Sequence, residues 1–250
     1  MRRAAAALLV GVVLAGCGGE REQASTTSRA APPRASGTTA ADTSDGPRAA
    51  LDSKLVAALG DSITAGSPLW DPDPDARARL AAPTGMEPDE RSQWGYWFER
   101  TDPQGRTVRN CGVFGERTDQ IALRLERCAA GAASLVLQGG INDIAQGRSV
   151  ADAGKDLEAM VQAGKAGGRK VALVEVLPWN NGYPDAAPRV DELNALIRAV
   201  GRREAVPVLG WFGALEDPAA RGRMRAELTI DGDHPSVAGY KRLAGLVKLP

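Results

Sequence analysis

The sequence is short of the residues on which several common chemistries depend. Its 250 residues include one histidine, His234, and three cysteines. Zinc sites usually need several histidine or cysteine ligands, and the chain has neither an H-E-x-x-H pair nor a G-x-x-x-x-G-K-[ST] phosphate loop. Its 31 basic and 31 acidic side chains cancel, so no net charge attracts nucleic acid. We therefore expect no metal, no cofactor and no nucleic-acid partner.

The amino-terminal residues have the composition of a bacterial export signal. Residues 1–17, MRRAAAALLVGVVLAGC, combine two arginines with an apolar stretch that is too short to span a bilayer comfortably. The ending Leu-Ala-Gly-Cys resembles the lipobox of bacterial lipoproteins, which implies cleavage before Cys17 and acylation of its sulfur. A plain signal peptide with an incidental cysteine is the alternative. We predict a signal peptide over residues 1–16, a lipid anchor at Cys17 and an extracytoplasmic location at the bacterial cell membrane.

The next segment, residues 18–50, lacks large apolar side chains. It contains no Leu, Ile, Val, Phe, Tyr or Trp and is rich in Ser, Thr, Ala, Pro and Gly. Such a segment cannot bury enough apolar surface to offset the entropy lost on ordering. It predicts a flexible tether with a typical reach of about 30 Å. The folded domain is predicted over residues 51–250 and is expected to be a monomer.

Short apolar runs alternate with amphipathic patterns along this domain. Strands are predicted at residues 53–59, 106–113, 133–138, 170–177 and 206–211. Helices are predicted at residues 92–100, 118–128, 152–164, 189–200 and 236–247. The alternation predicts an α/β fold, with a parallel sheet and helices on both faces. Ligands bind such sheets beyond the carboxyl ends of the strands.

Four short polar blocks lie near strand ends or in loops. They are GDSIT (60–64), NCGVFGERT (110–118), GGIND (139–143) and DGDHPS (231–236). Each is weak evidence alone, because a turn, a helix cap or a surface histidine accounts for it. Together they supply what acyl transfer needs, since a serine hydroxyl attacks only when a base takes its proton and an acid orients that base. The sole imidazole, His234, follows Asp231 by three residues, a spacing at which the carboxylate can reach Nδ1.

Acyl transfer also needs hydrogen-bond donors for the oxyanion of its tetrahedral intermediate. The candidates are the backbone amides of Ser62 and Gly115 and the side-chain amide of Asn142. A G-x-S-x-G elbow is absent, because Thr64 stands where an α/β-hydrolase would have glycine. All four blocks are expected on one rim of the sheet.

The four blocks resemble those of the SGNH/GDSL hydrolase family. GDSIT matches its serine block, GVFGERT its glycine block, GIND its Gly-x-Asn-Asp block and DGDHP its Asp-x-x-His block, in the family's order across residues 55–247. The resemblance implies a flavodoxin-like three-layer α/β/α sandwich around five parallel strands. It also implies Ser62 as nucleophile, His234 as general acid–base and Asp231 as its orienter. Ser62, Gly115 and Asn142 would form the oxyanion hole.

The identity of the ester is less constrained by the sequence. Trp70, Trp179 and Asn180 lie in long loops and would suit a sugar face with its hydroxyls, although ordinary loop packing accounts for them equally well. No long apolar lid is evident, which favours a short acyl ester such as an O-acetyl group on a glycan. A thioesterase, a lysophospholipase and an inactive, surface-anchored glycan-binding module are the alternatives.

Four further residues have predicted structural roles. Strand and helix dimensions bring Cys111 and Cys128 to nearly the same level, where a disulfide and two small buried thiols are equally consistent. Asp143 is expected to bond loop backbone. Asp233 is expected to be a solvated loop residue, with a contribution to the surroundings of His234 as the alternative.

Overall fold

The computed structural model describes residues 50–249. The predicted signal peptide, the predicted lipidation site at Cys17 and nearly all of the predicted tether lie outside the described residues. Within the described part of the chain, no helix has both the length and the apolar character needed to cross a membrane.

A five-stranded sheet forms the centre of the fold. Its strands are β1 (Asp52–Gly60), β2 (Thr107–Gly112), β3 (Ala132–Leu137), β4 (Lys170–Val174) and β5 (Val208–Leu209). All neighbouring pairs are parallel, in the order β2-β1-β3-β4-β5. This is the flavodoxin-like order, in which the chain changes direction across the sheet between β1 and β3. The α/β fold with five parallel strands is confirmed.

Helices cover both faces of the sheet. They are α1 (Ser62–Ala65), α2 (Pro74–Ala81), α3 (Trp94–Thr101), α4 (Thr118–Ala122), α5 (Leu125–Ala129), α6 (Ile141–Ala145), α7 (Val150–Ala166), α8 (Ala187–Glu204), α9 (Trp211–Leu215) and α10 (Val237–Ala244). On one face, Ala57 and Leu59 of β1 pack in a core with α4, α5, α7 and α8. On the other face, Val56 and Ala58 pack with α3, α9 and α10. The pleat thus sends successive β1 residues into two separate cores, which explains its unbroken apolar run.

The predicted helix at residues 118–128 is instead two short helices, α4 and α5. The break places the Arg124 side chain at the carboxyl ends of two strands, where it donates to the carbonyls of Gly60 and Cys111 at 3.1 and 2.6 Å. It also forms an ion pair with Glu116 at 2.5 Å. The hydrogen bonds from Arg124 to these two carbonyls and its ion pair with Glu116 offset the hydrogen bonds that the helix loses at the break. Leu123 lies at the break and is 89% exposed.

The sequence patterns also missed several short elements. These are α2, α6, α9, three 3₁₀ turns and an antiparallel pair of strands, β6 (Glu216–Asp217) and β7 (Ala220–Met224). Most have two to five residues and are too short to show a hydrophobic period, and the eight residues of α2 include leucine as the only large apolar side chain. Their positions are set by contacts with the rest of the fold.

Cys111, at the end of β2, and Cys128, in α5, form a disulfide with their Cα atoms 6.1 Å apart. Of the two states that the sequence left open, the structure has the bonded one. The bond ties the edge strand of the sheet to a helix 17 residues later in the chain.

Replacing both bonded cysteines by alanine is expected to lower the free energy of unfolding by about 3 kcal/mol, because a cross-link of this span removes that much loop-closure entropy from the unfolded chain. Urea denaturation followed by tryptophan fluorescence measures the change. Adding a thiol reductant should destabilise the native protein by a similar amount and leave the double variant unaffected. Identical unfolding curves for the native protein with and without reductant would contradict the prediction.

Candidate active site

Ser62 lies at the junction of β1 and α1. Asp61 caps the helix by accepting a hydrogen bond from the Ile63 amide at 2.9 Å, and Ser62 is the first helical residue. The turn requires glycine at position 60, because an added Cβ would lie 2.2 Å from Thr64 Oγ1 and 2.6 Å from Gln138 Oε1. This tight strand-to-helix turn fixes the serine at the carboxyl end of β1.

His234 and Asp231 complete a chain of hydrogen bonds with Ser62. His234 Nε2 lies 3.0 Å from Ser62 Oγ, across 172 residues of sequence. His234 Nδ1 lies 2.7 Å from Asp231 Oδ2. The other oxygen, Asp231 Oδ1, accepts from the backbone amides of His234 and Asp233 at 2.7 and 2.9 Å. The Asp231 carboxylate is therefore held through Oδ1 by the backbone of its own loop, and its second oxygen, Oδ2, bonds to the imidazole.

The environment of Asp231 favours its ionised form. Burial acts to raise the pKa of Asp231, but the hydrogen bond and charge interaction with His234 and the two backbone donors outweigh burial, so the pKa lies below its ordinary value. An ionised Asp231 orients the Nδ1 proton of the imidazole toward itself, which leaves Nε2 free to accept a proton from Ser62.

The loop after β2 lies against His234. The Phe114 ring stacks on the imidazole, with ring centroids 6.1 Å apart. Gly115 follows in the left-handed region, at φ 79°. Its carbonyl accepts from Gln146 Nε2, and the neighbouring Glu116 carbonyl accepts from Asn142 Nδ2, both at 2.9 Å. The predicted residues Gly115 and Asn142 therefore lie on two segments, the loop after β2 and helix α6, that are bonded to each other.

Two backbone amides of the predicted oxyanion hole are unused. Within residues 50–249, the amides of Ser62 and Gly115 have no hydrogen-bond acceptor. Asn142 Nδ2 gives one hydrogen bond to Glu116, and the amide group carries a second N–H. These three groups are available donors.

Asp143, the next residue of α6, bonds to the start of α4. It is fully buried and accepts from the Thr118 amide and hydroxyl, both at 2.9 Å, and from Arg148 Nη1 at 2.6 Å. The predicted role for Asp143, bonding loop backbone, is confirmed.

The loop between β4 and α8 supports the loop that carries His234. Trp179 Nε1 donates to Asp233 Oδ1 at 2.6 Å, the Asn180 amide donates to the Gly232 carbonyl at 2.9 Å, and Asn181 Nδ2 donates to the Asp231 carbonyl at 3.0 Å. Asp233 thus shapes the surroundings of His234 by joining its loop to Trp179. Nothing in the sequence marks Asn181 for this role, because its partner lies 50 residues away.

Two of the predicted pocket residues, Asn180 and Trp70, have protein partners in the structure. Both polar side-chain atoms of Asn180 are bonded to the Met224 backbone, with Oδ1 accepting at 2.6 Å and Nδ2 donating at 3.2 Å. Asn180 therefore holds β7 and keeps one further side-chain N–H. One face of Trp70 is covered by the Arg77 guanidinium, 3.8 Å from the ring centroid. Trp70 lines neither of the cavities that flank the site.

The two cavities that flank the site differ greatly in size. A cavity of about 10 Å³ is lined by Ile63, Trp179 and Asp233, the neighbours and supports of Ser62 and His234. A cavity of about 540 Å³ is lined by Val113 and Phe114 on the opposite side. The first has room for about one water-sized group.

Asp61, next to Ser62, is buried in an environment that raises its pKa to about 6. The dominant cause is burial, opposed by hydrogen bonds involving Ile63 and Gln138 and by the nearby His234. Its Oδ2 has no hydrogen-bond partner among the described residues. The folded protein therefore holds the Asp61 proton more tightly than the unfolded chain does.

This pKa predicts a loss of stability as pH rises. The free energy of unfolding should fall by about 3 kcal/mol as pH rises from the ordinary Asp pKa of 3.8 through about 6, because the unfolded chain ionises first. Asp61→Asn keeps the helix cap and should remove this fall in the free energy of unfolding. Urea denaturation of both proteins across this pH window measures it, with Asp185→Asn, an exposed residue, as control. Parallel slopes for the native protein and Asp61→Asn would refute the prediction.

Comparison with known proteins places these blocks in a family. The model of the GDSL-like Lipase/Acylhydrolase family matches residues 58–242. No curated protein matches the chain significantly.

Solved structures share the fold at low sequence identity. A member of the lipolytic protein G-D-S-L family from Veillonella parvula is 19% identical, with a TM-score of 0.61 over 76% of this chain and 94% of that one. A GDSL-like lipase from Bacteroides thetaiotaomicron is 23% identical, with a TM-score of 0.58 over 77% and 85%. A variant of an acetyl-xylooligosaccharide esterase from Geobacillus is 18% identical, with a TM-score of 0.59 over 80% and 94%.

Proposed function

The chain belongs to the GDSL-like lipase/acylhydrolase family and is a carboxylic ester hydrolase, and from this premise we propose that it cleaves short acyl esters with Ser62, His234 and Asp231. The observation that carries this proposal is the hydrogen-bonded chain from Ser62 Oγ through the His234 ring to Asp231, with distances of 3.0 and 2.7 Å. Both distances suit proton transfer and orientation without rearrangement.

The first half of the reaction forms an acyl-enzyme. Ser62 Oγ attacks the ester carbonyl carbon while its proton passes to His234 Nε2. Asp231 stabilises the resulting imidazolium. The amides of Ser62 and Gly115 and the side-chain amide of Asn142 donate to the oxyanion. The tetrahedral intermediate then collapses, the bond to the alcohol oxygen breaks, and His234 returns its proton to the leaving alcohol.

The second half releases the acid. A water molecule gives a proton to His234 Nε2 as its oxygen attacks the acyl carbon. Collapse of the second tetrahedral intermediate breaks the bond to Ser62 Oγ, which regains the proton from His234. The same donors and the same base thus act in both halves of the reaction. No step changes an oxidation state, so protons and electrons balance without a redox cofactor.

The smaller cavity supports a short acyl group. Ile63, which follows Ser62 directly in the chain, and Trp179 line a cavity of only about 10 Å³. A long acyl chain placed there would have to displace buried side chains, at a cost of a few kcal/mol by analogy with overpacked cores. An acetyl group demands the least displacement, and we propose an acetyl ester, including O-acetyl groups on glycans, as the substrate class. The similarly folded esterase from Geobacillus acts on an acetylated xylooligosaccharide, which is in keeping with this choice.

An ester panel tests the proposal. Acetyl, butanoyl, hexanoyl and octanoyl esters of one alcohol should show kcat/KM falling with acyl length, with Ser62→Ala as the blank. A fluorophosphonate reagent should label the native protein at Ser62. Persistent labelling of Ser62→Ala would overturn the assignment of the nucleophile, and a preference for octanoyl esters would overturn the short-acyl class. Faster cleavage of thioesters or lysophospholipids, or binding of acetylated sugars without hydrolysis, would favour the alternative functions instead.

We further propose that the enzyme acts outside the cytoplasm while anchored by a lipid at Cys17. The disulfide between Cys111 and Cys128 supports an oxidising compartment. In a bacterial host, labelled palmitate should enter the native protein and not Cys17→Ser, and Cys17→Ser should leave the membrane fraction. Equal labelling of the two proteins would exclude this anchor.

A further inference from the structure

The larger cavity lies beside the edge strand of the sheet. Its volume of about 540 Å³ lies within the usual range of small-molecule pockets. It is lined by residues of α2, of α5 and of the end of β2. Neither Ser62 nor His234 belongs to its lining, but Phe114 does, and the Phe114 ring also stacks on His234, with ring centroids 6.1 Å apart. The cavity therefore borders the site through Phe114.

Three arginines in the lining form no ion pair among residues 50–249, although one of them, Arg79, is close enough to Asp71 for its charge to act on that carboxyl. Arg79 and Arg127 form neither an ion pair nor a hydrogen bond within the described part of the chain. Arg109 donates only to two backbone carbonyls, those of Cys128 and Ala130, at 2.9 and 2.6 Å. Their positive charges are thus available to an occupant of the cavity. Guanidinium groups are well suited to carboxylate and phosphate, which they bind through paired hydrogen bonds.

The other charged groups in the lining are already engaged. Arg124 is paired with Glu116 at 2.5 Å. Asp71 Oδ1 accepts from the Asp73 amide at 2.9 Å, and Asp73 Oδ1 accepts from the first turn of α2 at 2.9 Å. Three unpaired guanidiniums thus face two carboxylates that bond their own backbone, which leaves the cavity with a positive excess.

The remaining lining is mostly apolar. Ala76 and Leu80 of α2, Val113, Phe114 and the disulfide-bonded cysteines contribute to it. Its one uncharged polar side chain, Asn110, donates to the Ala65 carbonyl and to Gln93 Oε1. A small inorganic anion would leave this surface uncovered. An occupant that has an apolar segment and an anionic end would match both parts of the lining.

We propose that this cavity is a subsite for the alcohol part of the substrate, and that it selects alcohols that carry a terminal carboxylate or phosphate on an apolar spacer. The inference rests on the proposed function, because the acyl group is assigned to the small cavity and only the alcohol part remains to enter the large one. Arg79, Arg109 and Arg127 are specificity-determining residues in this account.

Two esters with nearly equal intrinsic reactivity test the subsite. They are the acetate ester of ω-hydroxyhexanoic acid, which is anionic, and hexyl acetate, which is neutral. The native enzyme should prefer the anionic ester in kcat/KM by roughly 10-fold at low ionic strength, since two or three partly exposed charge-assisted contacts supply this much. The Arg79→Gln/Arg127→Gln variant should lose most of the preference. The acetate ester of ω-hydroxyhexyl phosphate shows whether carboxylate or phosphate is preferred.

A matched control removes two charges elsewhere. Arg202→Gln/Arg242→Gln changes exposed arginines of α8 and α10 and should keep the preference, which separates a local subsite from the effect of net charge. An equal rate on both esters in the native enzyme, or an unchanged preference in Arg79→Gln/Arg127→Gln, would overturn the subsite while leaving the esterase intact.

Failure of the proposed function has a different signature. If the native protein hydrolyses neither ester, the esterase proposal fails, and binding then decides the subsite. Calorimetric titration of Ser62→Ala with ω-hydroxyhexanoate, with and without the Arg79→Gln/Arg127→Gln changes, should show at least 5-fold weaker binding when both arginines are replaced. Equal binding, or binding to neither protein, would overturn the subsite.

Discussion

His234→Ala and Ser62→Ala are each expected to lower kcat/KM on an acetyl ester by roughly 10⁴- to 10⁶-fold. Without the imidazole, the proton of Ser62 Oγ has no acceptor at the 3.0 Å distance seen in the structure. Without the hydroxyl, no acyl-enzyme forms. Initial rates over a range of enzyme concentrations measure the loss, and circular dichroism checks that each variant is folded.

The double variant makes this test sharper. Because Ser62 and His234 act as one unit, removing both should cost no more than removing either one alone. Ser134→Ala, at a buried serine of β3, is the matched control and should keep activity close to that of the native enzyme. If the losses of the two single variants multiply in the double variant, the two residues act independently, and the mechanism proposed here is wrong.

Asp231→Asn should cost roughly 10³- to 10⁴-fold in kcat/KM with little change in fold. The carbonyl oxygen of asparagine can still accept from the amides of His234 and Asp233, as Oδ1 does now. The side-chain NH₂ would then face His234 Nδ1, where Asp231 Oδ2 lies at 2.7 Å. An N–H at that place favours the tautomer with its proton on Nε2, which cannot accept the proton of Ser62.

Asp233→Asn is the matched control for this prediction. Asp233 lies in the same loop and its charge also acts on His234, but its side chain bonds to Trp179 Nε1, at 2.6 Å, and not to the imidazole. We expect a loss of no more than roughly 10-fold there, in the range of one weakened hydrogen bond. Rates of labelling by a fluorophosphonate should follow the same order as the esterase rates. Equal losses for the two variants would remove Asp231 from the role of orienting acid.

The positions of the strands and of the long helices could be predicted from the sequence, because the patterns that indicate them are local. β1 from Val56 onward and most of β3 are buried on both faces, and both have mainly apolar sequences there. α7 and α8 are long enough, at 17 and 18 residues, to show a helical period. The break between α4 and α5 could not be predicted, because the Arg124 side chain bonds to carbonyls of two different strands.

The residues able to act as base and orienting acid could also be predicted from the sequence. A single histidine leaves one choice of base, and three-residue spacing from Asp231 predicts a contact that a short loop can form. The same reasoning did not reveal that the Asn180 side chain bonds the backbone of Met224, 44 residues away. Residue type indicates which hydrogen bonds a side chain can make, and only the fold decides which partner takes them.

By itself, the sequence determined the α/β class, the set of residues able to carry acyl transfer and the lack of alternatives to His234. The tertiary structure alone decided that Ser62 and His234 meet at 3.0 Å, that Cys111 and Cys128 are bonded, and that three arginines border a cavity beside Phe114. The physical reason is the range of the interactions. Hydrophobic periods and turn preferences act over a few residues, whereas a proton-transfer pair or a charged cavity depends on the packing of elements that are far apart in the chain.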